Sequence, residues 1–244
     1  MRFMSFHPPY AVLERDAALF LDIDGTLLDF SPSPESVIVP PGLPECLARL
    51  QQRLGGALAL VSGRSLADID RLFGPGFAAA AEHGALLRGA DGALLARHQP
   101  DPALAEIAPS LRQAVAARPG TLLEEKDFGL ALHWRAAPEH GEALTALGEK
   151  LAVPHSGLVL LPAKQALEIR SRGPDKGEAL AAFMARPPFR GRRPVFIGDD
   201  VTDEPAIERA RELGGAGLHV AHDFRGEPEA VRQWLASHLK EGAL

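Results

Sequence analysis

The chain has 244 residues, 46% hydrophobic and 24% charged, with a formal net charge of −6. That much apolar surface excludes a disordered chain. The acidic balance does not suit a surface that neutralises a phosphate backbone, and no apolar stretch approaches the ~18 residues that a membrane helix needs. Cys46 is the single cysteine, which excludes an internal disulfide and makes a reducing cytoplasm the expectation. Residues 1–10 contain His7-Pro8-Pro9 and no apolar run, so no signal peptide is expected there.

Residues 17–21 are an apolar run that predicts a buried strand ending in Asp22-Ile23-Asp24-Gly25-Thr26. Side chains two apart on an extended chain point the same way, and ligands bind at the carboxyl ends of strands in open α/β sheets. A Pro-rich loop follows. Pro44 opens a helix with Leu47, Leu50 and Leu54 on one side, stopped by Gly55-Gly56. Residues 57–61 predict a strand covered on both faces, running into Ser62-Gly63-Arg64. Ser65 with Asp68 resembles a capping box for a helix to Phe73, closed by Gly74, and residues 77–81 predict a strand into Glu82-His83-Gly84. The alternation argues for a doubly wound parallel sheet.

The middle of the chain has a different grain. A helix starts at Asp101-Pro102, and Pro109 is expected to kink or split it. Strands are expected at 121–125, 130–134, 158–161 and 166–169, with a helix at about 139–151. This is the pattern of an α+β module, over 101–171, inserted between core segments 1–100 and 172–244. After Gly173-Pro174, Asp175-Lys176-Gly177 opens a helix to Met184. A strand at 194–197 runs into Gly198-Asp199-Asp200, and Thr202 is expected to cap a helix over 203–213. A last strand at 217–221 precedes an amphipathic helix with Val231, Trp234 and Leu235.

These strand ends converge on one edge in a doubly wound sheet. They carry Asp22 and Asp24, Ser62 and Arg64, Lys176, and Asp199, Asp200 and Asp203. Five carboxylates together repel one another. A divalent cation with hard oxygen ligands relieves them, and Mg²⁺ suits such a set. Asp22, Asp24, Asp199, Asp200 and Asp203 are therefore the candidate metal ligands, Asp199 the principal one and either Asp200 or Asp203 positioning it or its waters. Lys176 at a helix start and the Ser62 hydroxyl supply what a transferred phosphoryl group needs. Asp22 is the candidate nucleophile and Asp24 the proton donor and acceptor. Thr26, Gly63 and Arg64 of the same motifs, and His83, are candidates to lie at the substrate. Each group also has a plainer reading: Lys176 as a surface lysine, Arg64 as a carboxylate partner, His83 as a turn residue, Asp200 as a helix N-terminal charge.

The four motifs in this order, D-x-D-G-T, S-G-R, D-K-G and G-D-D-x-T-D-E, resemble the haloacid dehalogenase superfamily of phosphatases. The inserted module resembles that superfamily's C2-type cap. E-H-G at Glu82, E-K at Glu125, H-W-R from His133, K-x-x-x-E-I-R from Lys164 and the fourth motif resemble trehalose-6-phosphate phosphatases over nearly the whole chain. The resemblance implies Mg²⁺-dependent hydrolysis of trehalose 6-phosphate; a monomer acting on a small sugar phosphate, with no nucleic acid or membrane partner, is expected. It also implies sugar contacts from Glu125, Lys126, His133, Arg135, Lys164 and Glu168. Glu125 and Lys126 read equally as a solvated pair. Ile23, Ser171 and Pro205-Ala206-Ile207 depart from the family's commonest pattern without removing a reactive group. Sucrose-phosphate and mannosyl-3-phosphoglycerate phosphatases remain rivals, as does a silent sugar-phosphate-binding domain. No P-loop motif occurs.

Overall fold

The computed structural model describes residues 13–31 and 36–239. These residues form two compact units, one of 13–31, 37–96 and 174–239, the other of Ser36 and 97–173. In the first unit β1 (Ala17–Leu21) is buried at every residue, as a strand covered on both faces must be. α1 (Leu43–Arg53) buries Leu43, Leu47 and Leu50 along one stripe, and the chain then turns through Gly55 and Gly56 into β2 (Leu58–Val61). α2 (Leu66–Phe73) starts where the Ser65 hydroxyl accepts the Asp68 N–H at 3.1 Å and stops at Gly74. β3 (Ala78–Ala81) follows. β4 (Leu86–Arg88) then runs antiparallel to β3, and β5 (Leu94–Arg97) lies beyond it. The sheet is thus not purely parallel: these two short strands had no alternation long enough to read.

The second unit packs α3 (Ala103–Ala116) and α4 (Gly141–Ala152) on one face of an antiparallel sheet. Its strands are β6 (Leu122–Glu125), β7 (Gly129–His133), β8 (Leu158–Ala163) and β9 (Ala166–Ser171), in the order β6-β7-β9-β8. Leu104, Leu111, Leu130, Leu132, Leu144 and Ile169 meet in its core. Pro109 does not split α3. It lies on the exposed face, where water can serve the carbonyl that loses its N–H partner.

The chain returns through α5 (Lys176–Met184), β10 (Arg193–Gly198), α6 (Glu204–Glu212), β11 (Ala216–His219), α7 (Val220–Asp223) and α8 (Pro228–Ser237). Two expectations fail here. Thr202 does not cap α6, because its hydroxyl donates to Asp200 at 2.7 Å and the N-cap position belongs to Asp203. The last strand ends at His219, whose ring nitrogen accepts the Ala221 N–H and turns Val220 and Ala221 into α7. Among the described residues no helix is long and apolar enough to cross a membrane.

The first unit's sheet has the order β11-β10-β1-β2-β3-β4-β5. β1 pairs in parallel with both neighbours, Leu21 lying opposite Ile197 and Leu60. The chain steps outward through β2 and β3, then restarts on the far side at β10 and β11. The switch point between β1 and β10 opens a crevice at their carboxyl ends. Phe20 of β1 packs on Phe189 and Phe183, with ring centroids 5.3 and 6.1 Å away, which ties α5 to the sheet beneath the crevice.

Candidate active site

Asp22 follows β1, and Asp199 follows β10 across the switch point. Lys176, the first residue of α5, stands between two carboxylates: its Nζ donates to Asp22 Oδ1 at 2.8 Å and to Asp203 Oδ1 at 2.7 Å. All three are buried. Asp175 makes this possible by accepting the Glu178 N–H, which starts the helix at Lys176. The other oxygen of Asp203 accepts the backbone N–H groups of Asp199 and Asp200 at 2.9 and 3.1 Å. Asp203 therefore holds both the lysine and the loop that presents Asp199. Gly25 has φ +81°, and a Cβ there would lie 2.1 Å from Asp199 Oδ2, so only glycine lets the two loops approach. Thr26 donates to Asp199 from 3.4 Å.

Burial, then Asp203, pushes the Asp22 carboxyl well above the usual carboxylate range, against the pull of Lys176. Burial followed by Asp203 and Asp200 pushes Asp199 up to about 7. Burial alone would discharge Lys176, but Asp203 and Asp22 outweigh it and keep the ammonium charged. Three clustered carboxylates, buried Asp22 and Asp203 and half-buried Asp199, surround one ammonium, and that excess negative charge is what a cation would relieve. Asp22, Asp199 and Asp203 offer oxygens within 4.8 Å of one another, the hard donor set that Mg²⁺ prefers. Both oxygens of Asp203 are already committed, so Asp22 and Asp199 are the groups with room for a metal.

Two candidate ligands stand outside this cluster. Arg64 grips both oxygens of Asp24, Nε at 2.7 Å and Nη2 at 2.6 Å, so the Asp24 side chain is turned to the arginine rather than to Asp199. Asp200 accepts the backbone N–H and hydroxyl of Thr202. Burial opposes its charge, but Lys176 and these bonds outweigh it and hold its carboxyl below the usual range. Ser62, 1% exposed, accepts the Arg64 N–H at 3.2 Å. The His83 ring fills the space a Cβ on Gly63 would need, 2.4 Å from it, so the S-G-R and E-H-G motifs interlock. Glu82 and His83 both have positive φ, strain of the kind that gathers at functional sites.

The second unit has its own polar surface on the sheet face opposite its helices. Glu124, Ala131 and Glu168 lie side by side across β6, β7 and β9. Glu124 meets His133 at 2.9 Å, and Lys126 donates to Glu168 at 3.2 Å. Burial disfavours the Glu124 anion, but His133 and Lys126 outweigh it and lower its carboxyl. Glu125 falls on the other face, where Arg112 of α3 donates to its two oxygens at 2.6 and 2.8 Å. Glu125, expected to contact the sugar, thus faces α3, while strand alternation puts Glu124, which the motifs did not single out, on the polar face with Lys126, His133 and Glu168. β7 ends at His133, so Arg135 lies in the following turn and donates to the carbonyl of exposed Lys164 at 3.3 Å.

A switch-point crevice lined by a lysine-bridged carboxylate cluster defines a haloacid dehalogenase-type α/β fold. The structure of a C. albicans trehalose-6-phosphate phosphatase C-terminal domain superposes with a TM-score of 0.77, covering 91% of each chain at 20% identity, a likeness of fold. Residues 20–230 match the family model described as trehalose-phosphatase. A trehalose-6-phosphate phosphatase of Escherichia coli K12 is 41% identical over 204 residues, 83% of this chain and 77% of that one. A probable trehalose-phosphate phosphatase of Sinorhizobium fredii is 44% identical over 230 residues, 90% and 82% of the two chains. The chain belongs to the trehalose-phosphatase family, as its motifs indicated.

Proposed function

We propose that the protein hydrolyses trehalose 6-phosphate to trehalose and phosphate. The observation that carries this is the Lys176-bridged cluster of Asp22, Asp199 and Asp203 at the switch point, in a chain of the trehalose-phosphatase family. Asp22 attacks phosphorus; a bond from its carboxylate oxygen forms as the bond to the sugar oxygen breaks. Asp24 gives that leaving oxygen its proton, then takes one from the water that attacks the aspartyl-phosphate, which frees phosphate and restores Asp22. Lys176 and Ser62 spread the charge of the transferred group. An incoming phosphate competes with Asp24 for Arg64, and this competition frees Asp24 for its proton work.

Mg²⁺, held by Asp22 and Asp199, would supply positive charge against the phosphoryl oxygens. The second unit acts as the cap that reads the sugar, through Glu124, Lys126, His133 and Glu168. Such paired polar groups reject a sugar that leaves them unsatisfied. The lone, half-buried thiol of Cys46 supports a reducing cytoplasm as the compartment, and a monomer with a small sugar phosphate as its only partner completes the reading.

The test is phosphate release from trehalose 6-phosphate, glucose 6-phosphate, sucrose 6-phosphate and mannosyl-3-phosphoglycerate, with Mg²⁺ and with chelator. Preference for trehalose 6-phosphate, lost with chelator, is expected. Preference for another sugar discards the reading of the second unit and keeps the chemistry of the first. No release from any substrate leaves a sugar-phosphate-binding domain.

A further inference from the structure

The loop after β1 is closed mainly on itself. The N–H groups of Leu27 and Leu28 both donate to Ile23 O at 2.9 Å, and the Gly25 N–H donates to Leu28 O at 2.8 Å. The Leu27 carbonyl instead faces outward and accepts Arg232 Nη1 of α8 at 2.9 Å, a contact across 205 residues of sequence. The second arm of the same guanidinium reaches Asp29 at 3.3 Å. The Arg232 side chain is 17% exposed and that of Asp29 67%, so the carbonyl contact is the sheltered one and the ion pair is wet.

The helix that carries Arg232 is itself fixed. Val231 and Leu235 are fully buried, Trp234 packs edge-on against Phe224 and His238, and the His238 carbonyl accepts Arg53 of α1. The loop it grips presents Asp24, the proton-handling carboxylate, and Thr26, which touches Asp199. Displacement of such a loop by a fraction of an ångström changes the attack and proton-transfer geometry on both sides of Asp22.

We propose that Arg232 is a positioning residue: it holds the loop over 23–28 at the Leu27 carbonyl and so sets Asp24 and Thr26 for the reaction, without touching substrate. The assignment rests on the phosphatase reading above.

Three variants test it: Arg232→Met removes both contacts, Arg232→Lys keeps a donor for the carbonyl, and Asp29→Asn removes only the exposed partner. Arg232→Met is expected to lower kcat about tenfold on trehalose 6-phosphate and equally on an aryl phosphate, with KM and melting temperature little changed. Arg232→Lys should regain most of that loss, and Asp29→Asn should match the unmodified protein. Amide exchange over 23–29, read by mass spectrometry without substrate, should quicken in Arg232→Met alone. Normal turnover and exchange in Arg232→Met would overturn the proposal. So would a kcat loss that tracks a fall in melting temperature and that lysine does not rescue, or an equal loss in Asp29→Asn. Absence of phosphate release from the unmodified protein would instead strike the phosphatase reading, while the exchange experiment would still decide whether Arg232 holds the loop.

Discussion

Glu124 and Glu125 are neighbours in sequence and face opposite sides of one sheet. The motif match drew attention to Glu125 because it precedes Lys126, yet residues that share a strand face with Lys126 must be two away. The structure gives Glu125 to Arg112 and Glu124 to His133. Glu124→Gln is expected to lower kcat/KM on trehalose 6-phosphate about tenfold or more, with aryl phosphate hydrolysis unchanged. Glu125→Gln should leave both rates and the melting curve nearly as they were, since it breaks only an exposed pair. A substrate-pair assay on the two variants separates the assignments, and equal losses would return Glu125 to the site. At Asp22 the expected effects on function and stability oppose each other. Asp22→Asn cannot form the aspartyl-phosphate and should lose roughly a thousandfold or more in turnover. The same change removes a carboxylate that burial and Asp203 already push toward neutrality, so in chelator the variant should melt higher than the unmodified protein. Near-normal turnover by Asp22→Asn would remove the nucleophile assignment.

At the level of elements, what was legible in the sequence was whatever rests on local chemistry. β1, β2 and β3 read as short apolar runs because parallel strands are covered on both faces, and the cap at Ser65 and the helix start at Asp175-Lys176 read because Ser65 and Asp175 oxygens serve N–H groups three residues on. β4 and β5 were not legible, being too short to show a period. The end of β11 was misread because a histidine ring nitrogen took the capping role usually given to Ser, Thr, Asp or Asn. In the site, Asp22, Lys176 and Asp199 converge as strand-end reasoning expects, while Arg64 was legible as a carboxylate's partner but the identity of that partner, Asp24, 40 residues away in sequence, was not. Pro109 shows the converse, a strong local signal overridden by context, since α3 runs through it with its stripe of Leu104, Ile107, Ala108 and Leu111 buried. Pro109→Ala restores an N–H to the helix on its exposed side. It should stabilise α3 by about 1–2 kcal/mol, less than the full helix-interior cost of proline because the unfolded chain also gains freedom. Amide exchange over α3 reads this directly. Slower exchange is expected, and unchanged exchange would show that the helix has already relaxed around the proline.

The whole first unit carries an electrostatic burden that links its stability to pH and to metal. Asp199, pushed up to about 7 by burial and by Asp203 and Asp200, binds its proton more tightly in the folded than in the unfolded chain. Between the ordinary carboxylate value of about 4 and about 7 the folded state therefore holds more protons, and stability falls as pH rises through that window. Asp22, shifted in the same direction, adds to the slope. A divalent cation on Asp22 and Asp199 reverses the penalty, because it favours the charged carboxylates and competes with their protons. It also stabilises by mass action, about 2.7 kcal/mol at a hundred times its dissociation constant. The melting temperature in chelator should thus decline from pH 5 to pH 8, and the increment given by Mg²⁺ should grow over the same range. Calorimetry at three pH values with and without Mg²⁺ measures both without any substrate. In Asp199→Asn, where one of the two carboxylates with room for the metal is gone, the Mg²⁺ increment should shrink and its dependence on pH should flatten. A Mg²⁺ increment that is constant with pH, or that survives intact in Asp199→Asn, would mean that the ion binds elsewhere and that the cluster balances its charge with protons and Lys176 alone.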